Sequence, residues 1–200
     1  MNAKTAACVS PGCTTGPFFP REFSDGNEDL TGREGRTARG EHILLTGHVL
    51  ELSAKPAIDL VLEIWQPDAN GIFRHPLDPR ALQADPGFWG WGRARTSLHG
   101  LYRFKTVLPG SYRGDEGRDR CPHINCAILG IGLTRRLVTT VFFSATPDTV
   151  RDPVLDCVPD TTRRRRLFAN RDPMLDAGGV LAYRFDIILR GPNETPFFVD

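Results

Sequence analysis

The chain has 200 residues with 25 basic and 24 acidic side chains, a formal net charge of +1, and 40% hydrophobic and 24% charged residues. That balance excludes a protein that holds nucleic acid or an anionic membrane surface through its field, and the composition excludes a mostly disordered chain or a coiled coil. The 20 glycines and 16 prolines are disfavoured inside helices and strands, so they point to short strands and many loops within one packed domain.

Residues 1–40 show almost no periodicity and many Gly, Pro, Thr and charged residues, which predicts a long irregular N-terminal arm laid over the domain formed by residues 41–200. The apolar patch at residues 6–9 is broken by Ser10, Pro11 and Gly12, short of the core of a secretory signal. The longest apolar stretch, residues 126–133, is far below the roughly 18 residues that a membrane helix needs. The expectation is therefore a cytoplasmic protein whose five cysteines, Cys8 and Cys13 in the arm among them, form no structural disulfide. Among the basic residues only Lys4, Lys55 and Lys105 are lysine, which reads as a compositional bias of the genome.

Residues 41–52 read as a strand. From Ile58 the alternation of Ile58, Leu60, Leu62 and Ile64 with Asp59 and Glu63 is the period-two pattern of a half-buried strand, and Asn70-Gly71 closes a tight turn over residues 66–71. Further strands are expected at 101–107, 122–129, 137–143 and 181–190. In the last, Tyr183, Phe185, Ile187 and Leu189 share one face. Helical signals are confined to residues 160–168, with Asp160 or Thr161 near the start, and to a short turn within 148–158. The fold class is all-β: a β-sandwich of mixed or antiparallel sheets with short helical excursions. The run Arg163 to Arg166, preceded by Asp148, Asp152, Asp156 and Asp160, reads as a solvated face rather than a polyanion site. Trp89 and Trp91 read as packing against the arm or a neighbouring chain.

Two segments carry chemistry. Leu108-Pro109-Gly110-Ser111-Tyr112 is a turn that presents a phenol at its exit, and Cys121-Pro122-His123-Ile124-Asn125-Cys126 opens a strand on which His123 and Asn125 point one way while Ile124 and Cys126 point to the apolar side. Phenol and imidazole either meet at a site or form a hydrogen-bonded pair under a loop; spacing alone leaves both open. No GxSxG, Walker loop or dinucleotide fingerprint is present.

Leu62 through Gly71, Gly92-Arg93, Gly100 through Phe104, Pro109 through Tyr112, Pro122-His123-Ile124-Asn125, Ala182 through Ile187 and Arg190-Gly191, taken together and in order, resemble the intradiol ring-cleavage dioxygenases from about Thr14 onward. The resemblance implies a non-haem ferric ion held by two tyrosines and two histidines, since phenolate is a hard anionic donor suited to a trivalent ion. Matched motif by motif, Phe73 stands at the first tyrosine, Tyr112 at the second, His123 at the first histidine and Asn125 at the second. With two of four ligands replaced, these are degenerate ligand positions. This chain is expected to hold no metal and to carry no catalytic residue of its own.

Some members of the family are built from two homologous chains of which only the β chain binds iron, and this sequence resembles the α chain. The resemblance implies a partner of that iron-binding kind and a small aromatic acid, 3,4-dihydroxybenzoate, cleaved to 3-carboxy-cis,cis-muconate at the interface. It also implies a pocket wall from the arm's Thr14, Gly16 and Pro17, with Ile131 where the family often has an arginine. Two other readings stand beside it: a self-contained enzyme that completes an iron site from Tyr112, His123 and Tyr102 or a carboxylate, and a non-enzymatic β-sandwich module.

Overall fold

The computed structural model describes residues 26–114, 117–130, 133 and 135–199. Among them the strands are β1 (Gly32–Arg33), β2 (Arg36–Thr37), β3 (His42–Leu50), β4 (Val61–Trp65), β5 (Trp91–Arg95), β6 (Leu101–Val107), β7 (Tyr112–Arg113), β8 (Asp119–Arg120), β9 (His123–Leu129), β10 (Leu137–Phe143), β11 (Phe168–Arg171), β12 (Leu181–Arg184) and β13 (Ile187–Ile188), with helices α1 (Pro153–Asp156) and α2 (Thr161–Arg165). Thr14, Gly16, Pro17, Ile131, Cys8 and Cys13 lie outside the described residues.

The strands run β5-β4-β9-β10-β11-β12-β3-β6, with β13 continuing along β3 beyond the end of β12. Neighbours are antiparallel except β10 with β11 and β3 with β12 and β13, so the sheet is mixed. β11 is the corner. Its first two residues pair with β10 and its last two with β12, which hands the sheet from one layer to the other. Between the layers lies the core, where Leu62 and Ile64 of β4 and Ile124, Cys126 and Ile128 of β9 meet Leu45 and Val49 of β3 and Tyr102 and Phe104 of β6. A second cluster of Phe142, Leu155, Val158, Leu167 and Phe168 seats α1 through Leu155 and holds the residues on either side of α2, which buries none of its own. This is the expected β-sandwich with short helical excursions.

The open side between β5 and β6 is closed by residues 27–30. Asn27 O accepts from Arg93 N at 3.0 Å, Glu28 O from Lys105 N at 2.9 Å, and Leu30 N donates to Lys105 O at 2.8 Å while its side chain is fully buried. Gly92 permits the approach, because a Cβ there would strike Asn27 O and the Leu30 side chain. Trp89 packs on the same segment, donating its indole N–H to Gly32 O at 2.8 Å beneath the Arg33 guanidinium.

Several boundaries differ from the sequence expectation for local reasons. β4 starts at Val61, not Ile58, because Asp59 takes a left-handed φ of 56° that breaks the alternation and leaves Ile58 exposed. The last strand breaks at Phe185-Asp186, where the Asp186 carboxylate, not a backbone carbonyl, accepts from His48 N at 2.8 Å. The helix expected over 160–168 ends at Arg165; Asp160 caps it, accepting from Thr162 N and Arg163 N, and Phe168 already belongs to β11. Within 148–158 the chain forms a short 3-10 turn at Pro147–Thr149 and then α1. The arginine run clamps loops: Arg164 donates to Val158 O, Arg165 pairs with Asp148, and Arg166 reaches Pro192 O and Asn193.

Candidate functional site

Two turns position the aromatic side chains, and both are built on Asp68. Its Oδ1 accepts from Asn70 N at 2.8 Å and Ile72 N at 3.1 Å, and its Oδ2 accepts from Asp85 N at 2.9 Å. Its backbone carbonyl accepts from Gly71 N and from Gly110 N, each at 3.0 Å. The carboxylate is buried, so the buried N–H groups of Ile72 and Asp85 depend on it for an acceptor. Gln66 ties the same turn to β6, donating to Val107 O at 2.9 Å and accepting from the Thr106 hydroxyl at 2.7 Å. Gly71 has φ +72°, and a Cβ on it would meet Ser111 O; one on Gly110 would meet Ala69 O at 2.5 Å. The turns are thus locked back to back, and the residues leaving them, Phe73 and Tyr112, meet edge to face with centroids 5.0 Å apart.

His123 opens β9 beside Tyr112 and is buried. Its Nδ1 lies 2.6 Å from Cys121 O and must donate, which leaves Nε2 as the acceptor for the Tyr112 hydroxyl at 3.4 Å and an Arg120 N–H at 3.2 Å. Arg120 is held in turn by Asp152, whose two oxygens lie 3.1 and 3.0 Å from its Nε and also accept from Val154 N and Cys121 N at 2.9 Å. Burial, followed by the nearby guanidinium, holds the His123 pKa down at about 4 against an ordinary 6.5. A proton on Nε2 would face the Arg120 N–H groups directly.

That arrangement predicts a pH dependence of stability. Below pH 6.5 the unfolded chain takes up a proton at this residue that the folded chain refuses until about pH 4. The contribution is fully present above 6.5 and is lost as the pH falls toward 4, by up to about 3 kcal/mol. Urea unfolding above pH 6.5 and near pH 4 should show the loss. His123→Gln should flatten it, and an unchanged profile in that variant would refute the assignment.

The sequence-derived residues are brought together: Phe73, Tyr112 and Asn125 line one cleft of about 680 Å³, with His123 bonded behind Tyr112. The phenol and imidazole do form a hydrogen-bonded pair, and they form it at the margin of this cleft. Tyr102 is not brought there. Its ring is buried in the core and its hydroxyl donates to Phe185 O at 2.5 Å, so it is not available to complete a metal site. Cys126 is equally inert, since burial pushes its thiol up to about 12. A ferric ion does not fit this donor set: Phe73 offers no oxygen, Asn125 only a neutral amide whose Oδ1 already takes the Thr140 hydroxyl at 3.4 Å, and the Tyr112 and His123 donor atoms are turned to each other and to Arg120.

Arg120, Trp65, His75, Arg80 and Arg113 were given no site role from sequence, and Asp152, read there as part of a solvated acidic face, is instead buried against Arg120; Arg120 and Asp152 support the site and the rest line it. Asp152-Pro153 carried a readable signal, an acidic N-cap before a proline at the first helical position. The approach of Arg120 to Asp152 across 32 residues had none.

Compared with known proteins, residues 14–191 match the family model described as Dioxygenase. The chain is 36% identical over 159 residues to the protocatechuate 3,4-dioxygenase beta chain of Burkholderia cepacia, covering 78% of this chain and 68% of that one. It is 35% identical over 202 residues to the alpha chain from the same organism, covering 94% and 96%. Among solved structures the fold resembles an intradiol ring-cleavage dioxygenase from Tetranychus urticae, with a TM-score of 0.58, 21% identity, and coverage of 91% of this chain and 94% of that one.

Proposed function

The chain belongs to the intradiol ring-cleavage dioxygenase family, and from that premise we propose that it is the iron-free α subunit of a two-chain protocatechuate 3,4-dioxygenase. The observation that carries this reading is the donor set. Phe73 and Asn125 stand where an ionisable oxygen and an imidazole are needed, and Tyr112 and His123 satisfy each other instead of facing an open coordination position. The near full-length similarity to an alpha chain supports the same conclusion, and the shorter match to a beta chain fits a partner of common descent.

In this reading the partner's ferric ion supplies the redox chemistry that lets O2 open the ring of 3,4-dihydroxybenzoate between its hydroxyl-bearing carbons. This chain's part is to complete the wall of the partner's pocket with Thr14, Gly16 and Pro17, to exclude water there, and to hold the two chains together. The near-neutral charge suits a homologous partner and a small acid rather than a polyanion. Among the described residues no helix is long and apolar enough to cross a membrane, and we place the assembly in the cytoplasm, where aromatic catabolism would use it.

The test is reconstitution. Purified alone, the chain should show neither the visible tyrosinate-to-iron charge-transfer band nor O2 uptake with 3,4-dihydroxybenzoate. Co-expressed with a homologue that retains both tyrosines and both histidines, it should co-purify and support ring cleavage. Colour and turnover in the lone chain would establish a self-contained enzyme, and failure to bind or affect the homologue would establish a non-enzymatic module. Either result would end the subunit reading.

A further inference from the structure

We infer that the end of the sandwich opposite the cleft is an interface with a second copy of this chain, built on the loop of residues 51–59 and the grooves beside it. This goes beyond the subunit reading, since it concerns contact between like chains and uses none of the cleft residues.

β4 runs toward the cleft at Trp65 and β9 runs away from it after His123, so the loops before Val61 and after Leu129 meet at the far end. There residues 51–59 stand as a ridge between two grooves. The larger, of about 500 Å³, is walled by Pro56, Ile58, Leu60, Leu98, Leu133 and Leu189. The smaller, of about 390 Å³, lies against Leu52, Ile188 and Pro192. Three aliphatic side chains at this end are left in water: Leu98 is 79% exposed, Leu52 50% and Ile58 46%. A single exposed leucine is ordinary on a protein surface, but three around adjoining apolar grooves mark a contact surface. The ridge is also fixed in one shape. Ser53 and Ala54 both sit in the left-handed region, with φ of 64° and 60°, in a loop tied by Glu51 N donating to Lys55 O at 2.7 Å and Ala57 N to Val49 O at 2.9 Å. A preformed ridge loses little freedom on association.

Charge selects the occupant. Glu51, Lys55 and Asp59 line the larger groove, so its rim carries both signs. Ile131, Gly132 and Thr134, which lie outside the described residues in the same stretch, carry none. A twofold contact needs a surface complementary to itself. A second copy rotated onto this end sets Lys55 of each chain against Glu51 of the other, and Leu98 of each enters the opposite groove. A partner of one strong charge would leave half the rim unmatched. A small aliphatic ligand would fill a groove and leave Leu98 and Leu52 in water.

Sedimentation velocity on the purified full-length chain, from about 1 to 100 μM, reads the association, with thermal melts as the control for folding. The wild-type chain should pass from monomer to dimer across this range. Leu98→Asp should weaken the dimer by about tenfold or more with its melt unchanged, because the side chain it replaces is exposed. Lys55→Glu and Glu51→Lys should each weaken it through like charges across the axis, and an equimolar mixture of the two should dimerise more tightly than either alone. A chain that stays monomeric at 100 μM would overturn the inference, as would a dimer that Leu98→Asp leaves unchanged or a charge-swapped mixture with no gain. None of these readings depends on iron or ring cleavage, so the subunit reading stands or falls separately, by reconstitution.

Discussion

Asp152→Ala should lower the unfolding free energy by about 3–5 kcal/mol, because it removes one partner of a buried ion pair and leaves the other charged. The Asp152 side chain is fully buried and that of Arg120 is 18% exposed, so water cannot take over the carboxylate's work. Three roles are lost together: counter-ion to Arg120, acceptor for Cys121 N ahead of β9, and N-cap of α1 through Val154 N. Asp152→Asn keeps the cap and most of the shape but not the charge, so its loss should lie between wild type and alanine. Urea denaturation with unchanged m-values provides the measurement. An alanine variant within about 1 kcal/mol of wild type would show that Arg120 finds another partner and that the pair does not anchor the site.

Asp68→Ala should cost about 3–4 kcal/mol, with a further consequence at the cleft. Two buried backbone N–H groups, those of Ile72 and Asp85, lose their acceptor at once together with the more exposed N–H of Asn70, and each unsatisfied buried donor costs about 1–3 kcal/mol before relaxation. Asp68→Asn is expected to rescue little, since both oxygens accept and an amide NH2 would turn a donor toward an N–H. The same carboxylate fixes the turn that delivers Phe73. Near-ultraviolet circular dichroism should therefore lose the signal of the packed Trp65, Phe73 and Tyr112 rings in variants that still fold. A folded Asp68→Ala protein with an unaltered aromatic spectrum would contradict this account of how the site is positioned.

The fold was most legible where inward and outward residues differ strongly. β6 and β10 coincide with the ranges that alternation predicts, because Phe104 and Val141 are large and apolar and fill the core. β5 was missed because its inward residues are Gly92 and Ala94, small enough to admit residues 27–30 and therefore silent in a hydrophobic pattern. β11 was missed because four residues ending in Asn170 and Arg171 carry no period, and its role as a corner depends on partners on both sides. At the site, Phe73, Tyr112, His123 and Asn125 were identified by motif, whereas the electrostatics that hold His123 neutral are a tertiary product. The cleft escaped notice for a similar reason: His75, Arg80 and Arg113 belong to separate turns that only the Asp68 network brings to one wall.

The central position of β3 sets the order in which this chain can acquire its structure. β3 forms early in the chain but lies between β6 and the parallel pair β12 and β13, and the His48 to Asp186 bond spans 138 residues. Half of the strand's pairing groups stay open until residues 181–188 arrive. Such long-range parallel closure raises contact order and slows refolding. An unfinished chain exposes a nine-residue strand, rich in Ile and Leu, with an unpaired edge. Its main hazard during synthesis is therefore strand addition between incomplete copies.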